Sequence, residues 1–334
     1  MPLFWESGWV VVVVASTLAL GGCGIDSLAG VGPAPAENTA AAPITGELAG
    51  QVTRRVLENA GVAGRAPAGA EGDTARAAAL SGTALDLAKA SATLSPPSGS
   101  TDALSRPDEP RVLAISAGHT YPRAILATSA DSDSRQHLAV LTTNEITTPY
   151  LLENTVTMLP GATLPAVGDL AKGATLVAPE DGTNLVLTPK AAIEGYAAAL
   201  NLPNPAASDV IDAGDAYATA LRQAQGAQVA GLGTLASLGQ THTAVPESLR
   251  TIRLADGSAL VLGRINRVDT ITAGDNTQEL KVPDALQKVV GAATAPKVIT
   301  VNAIESVALI VPATGQGKVK LIGIVEQLTG GSAQ

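Results

Sequence analysis

Three histidines are the side chains of this sequence whose ordinary titration range best suits a general base at neutral pH, and they are His119, His137 and His242. A nucleophilic enzyme needs such a base within hydrogen-bonding reach of a nucleophile and of an orienting group. His119 falls in a predicted turn, His137 begins a predicted strand and His242 falls in a predicted loop. The sequence contains no Gly-x-Ser-x-Gly elbow. We therefore predict solvated histidines and no catalytic residue, and single out His119 with Tyr121 as a candidate contact for a ligand or partner.

Two groups of acidic residues could be considered for metal binding. Asp131-Ser-Asp133 begins like a calcium loop but lacks the glycine and the distal glutamate that complete one. Asp209, Asp212 and Asp215 are spaced by three, as they would be on one helix face. At a helix start, however, carboxylates cap free amides and complement the helix dipole. Since there is also no His-Glu-x-x-His motif, we predict no metal site.

One stretch, Gly231 to Ala236, matches the glycine pattern of a dinucleotide-binding turn by its letters. That turn requires a preceding strand and a following helix. The residues before it, Tyr217 to Val229, have helical periodicity instead. The pattern therefore indicates a glycine-rich helix end or loop, and we predict no cofactor.

The N-terminal stretch carries a different kind of chemistry. An apolar run from Val10 is too short to cross a bilayer, and it ends in Leu20-Gly21-Gly22-Cys23. This looks like the lipobox of bacterial lipoproteins, in which the cysteine is acylated after the leader is removed. The nine residues before the run depart from the usual pattern, because they contain Glu6 and no Lys or Arg. A buried valine-rich strand is the alternative interpretation.

The composition limits the remaining possibilities. The net charge is −9 and no Lys/Arg cluster is present, so nucleic acid is not an expected partner. The same charge makes attachment to an anionic membrane depend on acyl chains at Cys23. Hydrophobic residues make up 46% of the chain and aromatic residues 2%, which predicts a core of small aliphatic side chains. Cys23 is the single cysteine, so no intramolecular disulfide can form.

The elements that would position these residues suggest two units after a signal peptide (1–22) and a flexible, Pro- and Ala-rich tether (23–46). The first unit (47–168) has a helical run near Leu48, a second from Asp73 to Leu94, and then short strands. Residues 169–187 resemble a hairpin linker around Pro179–Gly182. The second unit (188–330) repeats the order of helices followed by strands.

The predicted fold class is therefore α+β, with two tandem units that each pack two helices on a curved antiparallel sheet. Since the halves share an order of elements and no residue pattern, one continuous α+β domain is the alternative.

Several stretches carry a resemblance to a known group. The lipobox, the tether, YLLENTVTMLPGATLP (150–165), DGTNLVLTP (181–189) and the closing strand resemble uncharacterised lipoproteins of high-GC Gram-positive bacteria. This resemblance implies a tandem cystatin-like or NTF2-like ectodomain. It implies no activity, because none is assigned to that group.

Three functions remain as hypotheses. The first is a non-enzymatic, lipid-anchored module on the outer face of the cell membrane that binds or scaffolds an envelope protein or polymer. The second is a carrier for a small apolar ligand or lipid, because a core of small aliphatic residues can leave a cavity. The third is an envelope hydrolase that uses one of the histidines.

Overall fold

A computed structural model describes residues 41–94, 108–131 and 133–334, which belong to one compact unit. The predicted signal peptide, the lipobox residues Leu20, Gly21 and Gly22, and Cys23 lie outside the described residues, as does most of the predicted tether. None of the described helices combines the length and apolar character that a membrane span requires.

Helices and strands alternate in groups along the described chain. The helices are α1 (Gly46–Gly64), α2 (Ala70–Ala79), α3 (Gly82–Leu94), α4 (Pro189–Leu200), α5 (Ala216–Leu232) and α6 (Asp284–Val290). The first strands are β1 (Asp108–Ile115), β2 (Arg123–Ala130), β3 (Gln136–Thr143), β4 (Leu151–Met158) and β5 (Ile211–Asp212). The later strands are β6 (Ala236–Arg253), β7 (Ala259–Ala273), β8 (Leu280–Lys281), β9 (Thr294–Ala295), β10 (Val298–Val311) and β11 (Val319–Ala333).

One nine-stranded sheet contains strands from both halves of the chain, so the predicted pair of tandem helix-on-sheet units is wrong. The strand order is β1-β2-β3-β4-β11-β10-β7-β6, and β5 pairs with β11 outside this path. The two halves meet where Met158 and Thr157 of β4 pair with Gly323 and Ile324 of β11. The order of elements along the sequence suggested a repeat, but the last strand returns to the middle of the sheet and joins the halves.

Residues 174–177 connect the two ends of this sheet. Ala174 forms a parallel bridge with Ser116, next to β1, and Leu176 forms an antiparallel bridge with Ile252 of β6. The Val177 amide donates to the Thr251 carbonyl at 2.9 Å on the β6 side. The stretch that we predicted as a hairpin linker thus contacts two distant strands, and the sheet closes into a ring.

Apolar clusters fill the ring and cover its outside. The inner cluster takes Leu126 and Val140 from β2 and β3, and Leu260 and Leu262 from β7. On the outside, α1, α2 and α3 pack on β1 to β4, α4 packs on β7 and β10, and α6 packs near the ends of β10 and β11. The core consists almost wholly of Ala, Val, Leu and Ile, as the composition predicted.

Local signals set several helix ends. Thr188 caps α4 by accepting a hydrogen bond from the Ala191 amide at 3.1 Å, and Pro189 is the first helical residue, as predicted. The predicted helix from Asp73 to Leu94 is instead broken between α2 and α3. At the break Leu80 is extended and bridges Leu152, and Gly82 has φ +49°. The alanine-rich periodicity continues across the break and therefore could not reveal it.

Candidate ligand-binding site

An open cavity of about 1090 Å³ lies at the end of the sheet where β2 and β4 end and β1 and β3 begin. Its wall includes aliphatic side chains that the fold leaves half-buried. They are Val112, Leu113, Met158, Leu159, Leu164 and Val167. Because half-buried apolar side chains around a concavity gain free energy when a ligand covers them, this cavity is a candidate site for a small molecule.

The loop from residue 159 to residue 168 forms one side of the cavity and is held to the sheet. The Leu159 amide donates to the Ile322 carbonyl on β11 at 2.8 Å. Near the other end of the loop, the Ala255 amide donates to the Ala166 carbonyl at 2.8 Å. Leu164, between these bonds, and Val167, just after the second, pack against the inner apolar cluster. The wall is therefore formed by the protein itself before any ligand arrives.

A hydrogen-bonded row of three side chains ends in this wall. His137 on β3 and Thr157 on β4 are cross-strand partners, and Thr157 lines the cavity. Thr157 Oγ1 is 3.1 Å from His137 Nδ1. His137 Nε2 is 3.2 Å from Asp131 Oδ2, in the turn between β2 and β3. Hydroxyl, imidazole and carboxylate thus follow one another in contact.

The same turn fixes the Asp131 carboxylate. Its Oδ1 accepts hydrogen bonds from the backbone amides of Asp133, at 3.0 Å, and Arg135, at 2.9 Å. Its Oδ2 also accepts a bond from Arg135 Nε at 2.8 Å. Burial by itself raises the pKa of this carboxyl, but these donors and His137 outweigh burial and lower the pKa to about 2. Asp131 is therefore a carboxylate at neutral pH.

Burial has the opposite consequence for His137, which is 4% exposed. Burial lowers the pKa of its imidazole below the ordinary 6.5, although the hydrogen bond and the charge of Asp131 oppose this change. A neutral ring carries one proton. Since Asp131 can only accept, that proton lies on Nε2, and Nδ1 accepts from the Thr157 hydroxyl.

The predicted contact pair lies elsewhere. His119 and Tyr121 are near the start of β2, whereas the cavity is at the end of that strand. Arg123 joins them: its Nη2 donates to the His119 carbonyl at 3.0 Å, and its guanidinium carbon lies 4.5 Å from the centre of the Tyr121 ring. The pair therefore belongs to a surface cluster that does not line the cavity.

The prediction that all three histidines are solvated is wrong for His137 and His242, which are each 4% exposed. His242 lies within β6 and not in a loop. Its Nε2 is 3.3 Å from Glu305 Oε1, and both side chains are fully buried. Their burial follows from strand alternation, since both side chains point to the face of the sheet that α5 covers.

Glu305 and His242 belong to an ionic cluster with the buried Arg267, the partly buried Asp269 and the exposed Glu326. Arg267 donates to both carboxylate oxygens of Glu326, at 2.8 and 3.0 Å, and its Nε is 3.2 Å from Asp269 Oδ1. Burial raises the pKa of Asp269, and the charge of Arg267 opposes this rise. The Arg267 guanidinium lies among these carboxylates and compensates their negative charge, so no external cation is needed for that purpose. Among the described residues, no group of His, Cys, Asp and Glu is arranged to hold a metal ion.

The acidic and glycine motifs have structural roles. Asp215 caps α5 by accepting from the Ala218 amide at 2.9 Å, as the helix-start interpretation predicted, whereas Asp212 lies in β5 and Asp209 lies before that strand. It also accepts from the Tyr196 hydroxyl at 2.8 Å. Gly233, with φ +55°, follows the last residue of α5, which confirms the glycine-rich helix end.

Sequence reasoning missed the row formed by Asp131, His137 and Thr157. Their contacts depend on the register of β3 against β4, which no spacing in the sequence shows. The one available signal was an aspartate just before a turn and a histidine just after it. That signal points to a site only once the pairing of β3 with β4 shows the Thr157 hydroxyl opposite His137.

Comparison with known proteins identifies a family for this chain, and the function of that family is unknown. Residues 118–333, about two thirds of the chain, match the family model of DUF8094, a domain of unknown function, so the chain belongs to this family. No curated protein and no solved structure matches the chain.

Proposed function

We propose that this member of the DUF8094 family is a lipid-anchored binding protein of the cell envelope that holds a small apolar ligand in the cavity beside Thr157. The observation that carries the proposal is the cavity of about 1090 Å³ with its half-buried aliphatic wall. Binding sites for small molecules are typically concave and mostly apolar, with a few placed polar groups. A cavity at the upper end of the usual size range suits a long-chain molecule.

The form of the wall supports ligand binding over docking of another protein. The loop of residues 159–168 is hydrogen-bonded near both ends, so little ordering is needed when a ligand enters. The aliphatic side chains lie in a concavity, and a protein partner would need a protruding element to reach them. A small apolar molecule can fill the same space without that requirement.

The proposed location rests on the sequence. Leu20-Gly21-Gly22-Cys23 supports acylation of the single cysteine and attachment to the outer face of the cell membrane. An apolar ligand is concentrated in membranes, so a cavity held close to a bilayer would be near its source.

A dye-binding experiment tests the proposal. The full chain is reconstituted in nanodiscs, and binding of an environment-sensitive apolar dye is measured against empty nanodiscs. We expect saturable binding, and we expect Leu164→Glu to abolish it because the charge enters the apolar wall. Ile146→Glu is the matched control, since Ile146 is 84% exposed and outside the wall. Equal binding by wild type and Leu164→Glu would refute the proposal.

A hydrolase is the second candidate function. Thr157, His137 and Asp131 favour it, because a hydroxyl, a neutral imidazole and a carboxylate in contact can act as nucleophile, base and orienting group. Release of acid from an apolar ester by wild type, with no release by Thr157→Val, would establish this function. Equal rates for the two proteins would exclude Thr157 as the nucleophile.

A further inference from the structure

We propose that the cavity selects ligands whose polar group donates a hydrogen bond, and that its ligand is an apolar alcohol and not an ester or a carboxylate. This inference rests on the proposed function and adds the chemical class of the ligand. It follows from the direction of two hydrogen bonds in the cavity wall, both made with His137.

The first bond is made by Thr128, which is half-buried in the wall. Its Oγ1 is 2.9 Å from the carbonyl oxygen of His137. A carbonyl oxygen has no hydrogen, so the threonine must be the donor. The single hydroxyl proton of Thr128 therefore points away from any ligand.

The second bond is made by Thr157, and its direction is set by Asp131. The backbone amides of Asp133 and Arg135 donate to Asp131, so it is held as an acceptor. The ring of His137 must then present N–H at Nε2, which leaves Nδ1 as an acceptor for Thr157. The proton of Thr157 also points away from the cavity.

Each hydroxyl consequently has only lone pairs left to offer. Thr128 pairs with Leu138 and Thr157 pairs with His137, so the two hydroxyls lie on opposite faces of the sheet and a ligand meets them one at a time. A carboxylate or an ester carbonyl placed beside either hydroxyl would lose its hydration and gain no donor, which costs free energy. An alcohol placed there donates its proton to one of the two oxygens.

Two charged side chains at the rim of the cavity, Arg135 and Arg111, do not reverse this preference. Arg135 is already paired with Asp131 and Asp133, at 2.8 and 3.4 Å. Arg111 is exposed, so its attraction for an anion is screened by solvent and salt. The other polar side chains of the wall, Ser134, Gln136 and Thr163, are also exposed to solvent. The oxygens of the half-buried Thr128 and Thr157 therefore decide the preference.

The test uses ligands of one chain length on the full chain in nanodiscs. Displacement of the apolar dye is measured at pH 8 with decane, decanol, methyl decanoate and decanoate, and each value is corrected for partition into empty nanodiscs. We expect decanol to displace the dye about three- to tenfold more strongly than decane or the ester, the effect of one net hydrogen bond. Decanoate should be the weakest of the polar ligands.

Variants locate the effect in the wall. Thr157→Val and Thr128→Val should each reduce the preference for decanol over decane, and Thr157→Ser should retain it. Thr155→Val is the matched control, because Thr155 lies on the same strand but outside the cavity wall. Thermal melting of each variant reports whether it folds. If Thr157→Val does not fold, Thr128→Val and the ligand series on wild type still decide the question.

The outcomes separate this inference from the proposed function. If no ligand displaces the dye and the dye itself does not bind, the proposed function fails. If the four ligands displace it equally, or if decanoate or the ester is preferred, the inference is overturned while the function stands. Cleavage of the ester that requires Thr157 would also overturn the inference and would identify Thr157 as a nucleophile.

Discussion

Glu305 on β10 lies directly opposite Glu326 on β11, so that two like charges face each other across adjacent strands. The Tyr217 hydroxyl is within hydrogen-bonding distance of both carboxylates, at 2.6 and 3.0 Å. Arg267 contacts both carboxylates as well. Directly opposed like charges destabilise a sheet, so the pairing depends on the guanidinium beside it.

The first prediction concerns that guanidinium. Arg267→Met leaves Glu305, Glu326 and Asp269 without their common cation, and we expect the free energy of unfolding to fall by about 3 to 5 kcal/mol. Chemical denaturation measures this change. Arg54→Met, on the exposed face of α1, is the control and should change stability by about 0.5 kcal/mol or less. Similar losses in the two variants would show that Arg267 is not needed for charge compensation.

The second prediction is the acid dependence of stability that Asp131 contributes. Its pKa is about 2 in the folded protein against an ordinary 3.8, so the unfolded chain binds the proton more readily. The contribution is therefore complete above the ordinary pKa and is lost as the pH falls towards 2. Denaturation at a series of pH values should show that the free energy of unfolding falls less steeply over this range for Asp131→Asn than for wild type. Parallel curves would contradict the assignment.

The third prediction concerns ligand preference at lower pH. When His137 gains a proton, its Nδ1 becomes a donor to Thr157, and the hydroxyl proton of Thr157 can turn towards the cavity. The pKa of His137 lies below 6.5, because burial disfavours the cation and Arg135 repels it, although Asp131 attracts it. We expect the preference for decanol over methyl decanoate to be constant above this pKa and to decrease below it.

His119→Asn is the control for that experiment, since His119 is exposed near the start of β2. The variant should show the same decrease as wild type. Loss of the pH dependence in this variant would show that His119, and not His137, causes the change in preference. The folded state should also lose stability as the pH falls from 6.5 towards the pKa of His137, since the unfolded chain binds that proton first.

The fourth prediction tests the break between α2 and α3. Gly82 has φ +49°, and a Cβ added there would be 2.9 Å from Glu153 Cγ. Gly82→Ala should therefore lower the free energy of unfolding by about 1 to 2 kcal/mol, the cost of a left-handed conformation for an L-residue. Gly50→Ala is the matched control within α1, because nothing lies within 4 Å of its added Cβ. It should stabilise by about 0.5 to 1 kcal/mol, and equal signs for the two changes would contradict the prediction.

The fifth prediction concerns Cys23. Metabolic labelling with a fatty acid analogue should label the wild-type protein and fractionate it with membranes. Cys23→Ala should be unlabelled, because the chain contains no other cysteine. Wild-type protein that retains Met1 and carries no label would refute both the anchor and the proposed location.

The sequence predicted individual elements better than their arrangement. The predicted strand Val298–Val311 agrees with β10, and the predicted start of α4 at Thr188-Pro189 is confirmed. Periodicity and capping residues act over a few positions, so one sequence is enough to show them. Strand pairing acts over long separations, and nothing local indicated that β11 would lie between β4 and β10.

The candidate site shows the same difference. An aliphatic core was predicted from composition, and an apolar cavity was weighed as one consequence of it. The chemistry beside the cavity was not predicted, because Thr157 meets His137 only through the pairing of β3 with β4. His242 was assigned to a loop because threonine and glutamine surround it, although exposed Thr241 and Thr243 alternate with buried Gln240 and His242 along β6.

The segment of residues 174–177 has a consequence for aggregation. An outer strand with unpaired amides and carbonyls is a template on which another chain can add. Here Ala174 and Leu176 occupy those groups beside β1 and β6 with the protein's own backbone. A proline at Thr175 or Val177 would remove an amide or disturb a carbonyl in this contact. The ring would then open and expose two unpaired strand edges, on which further chains could add to form fibrils.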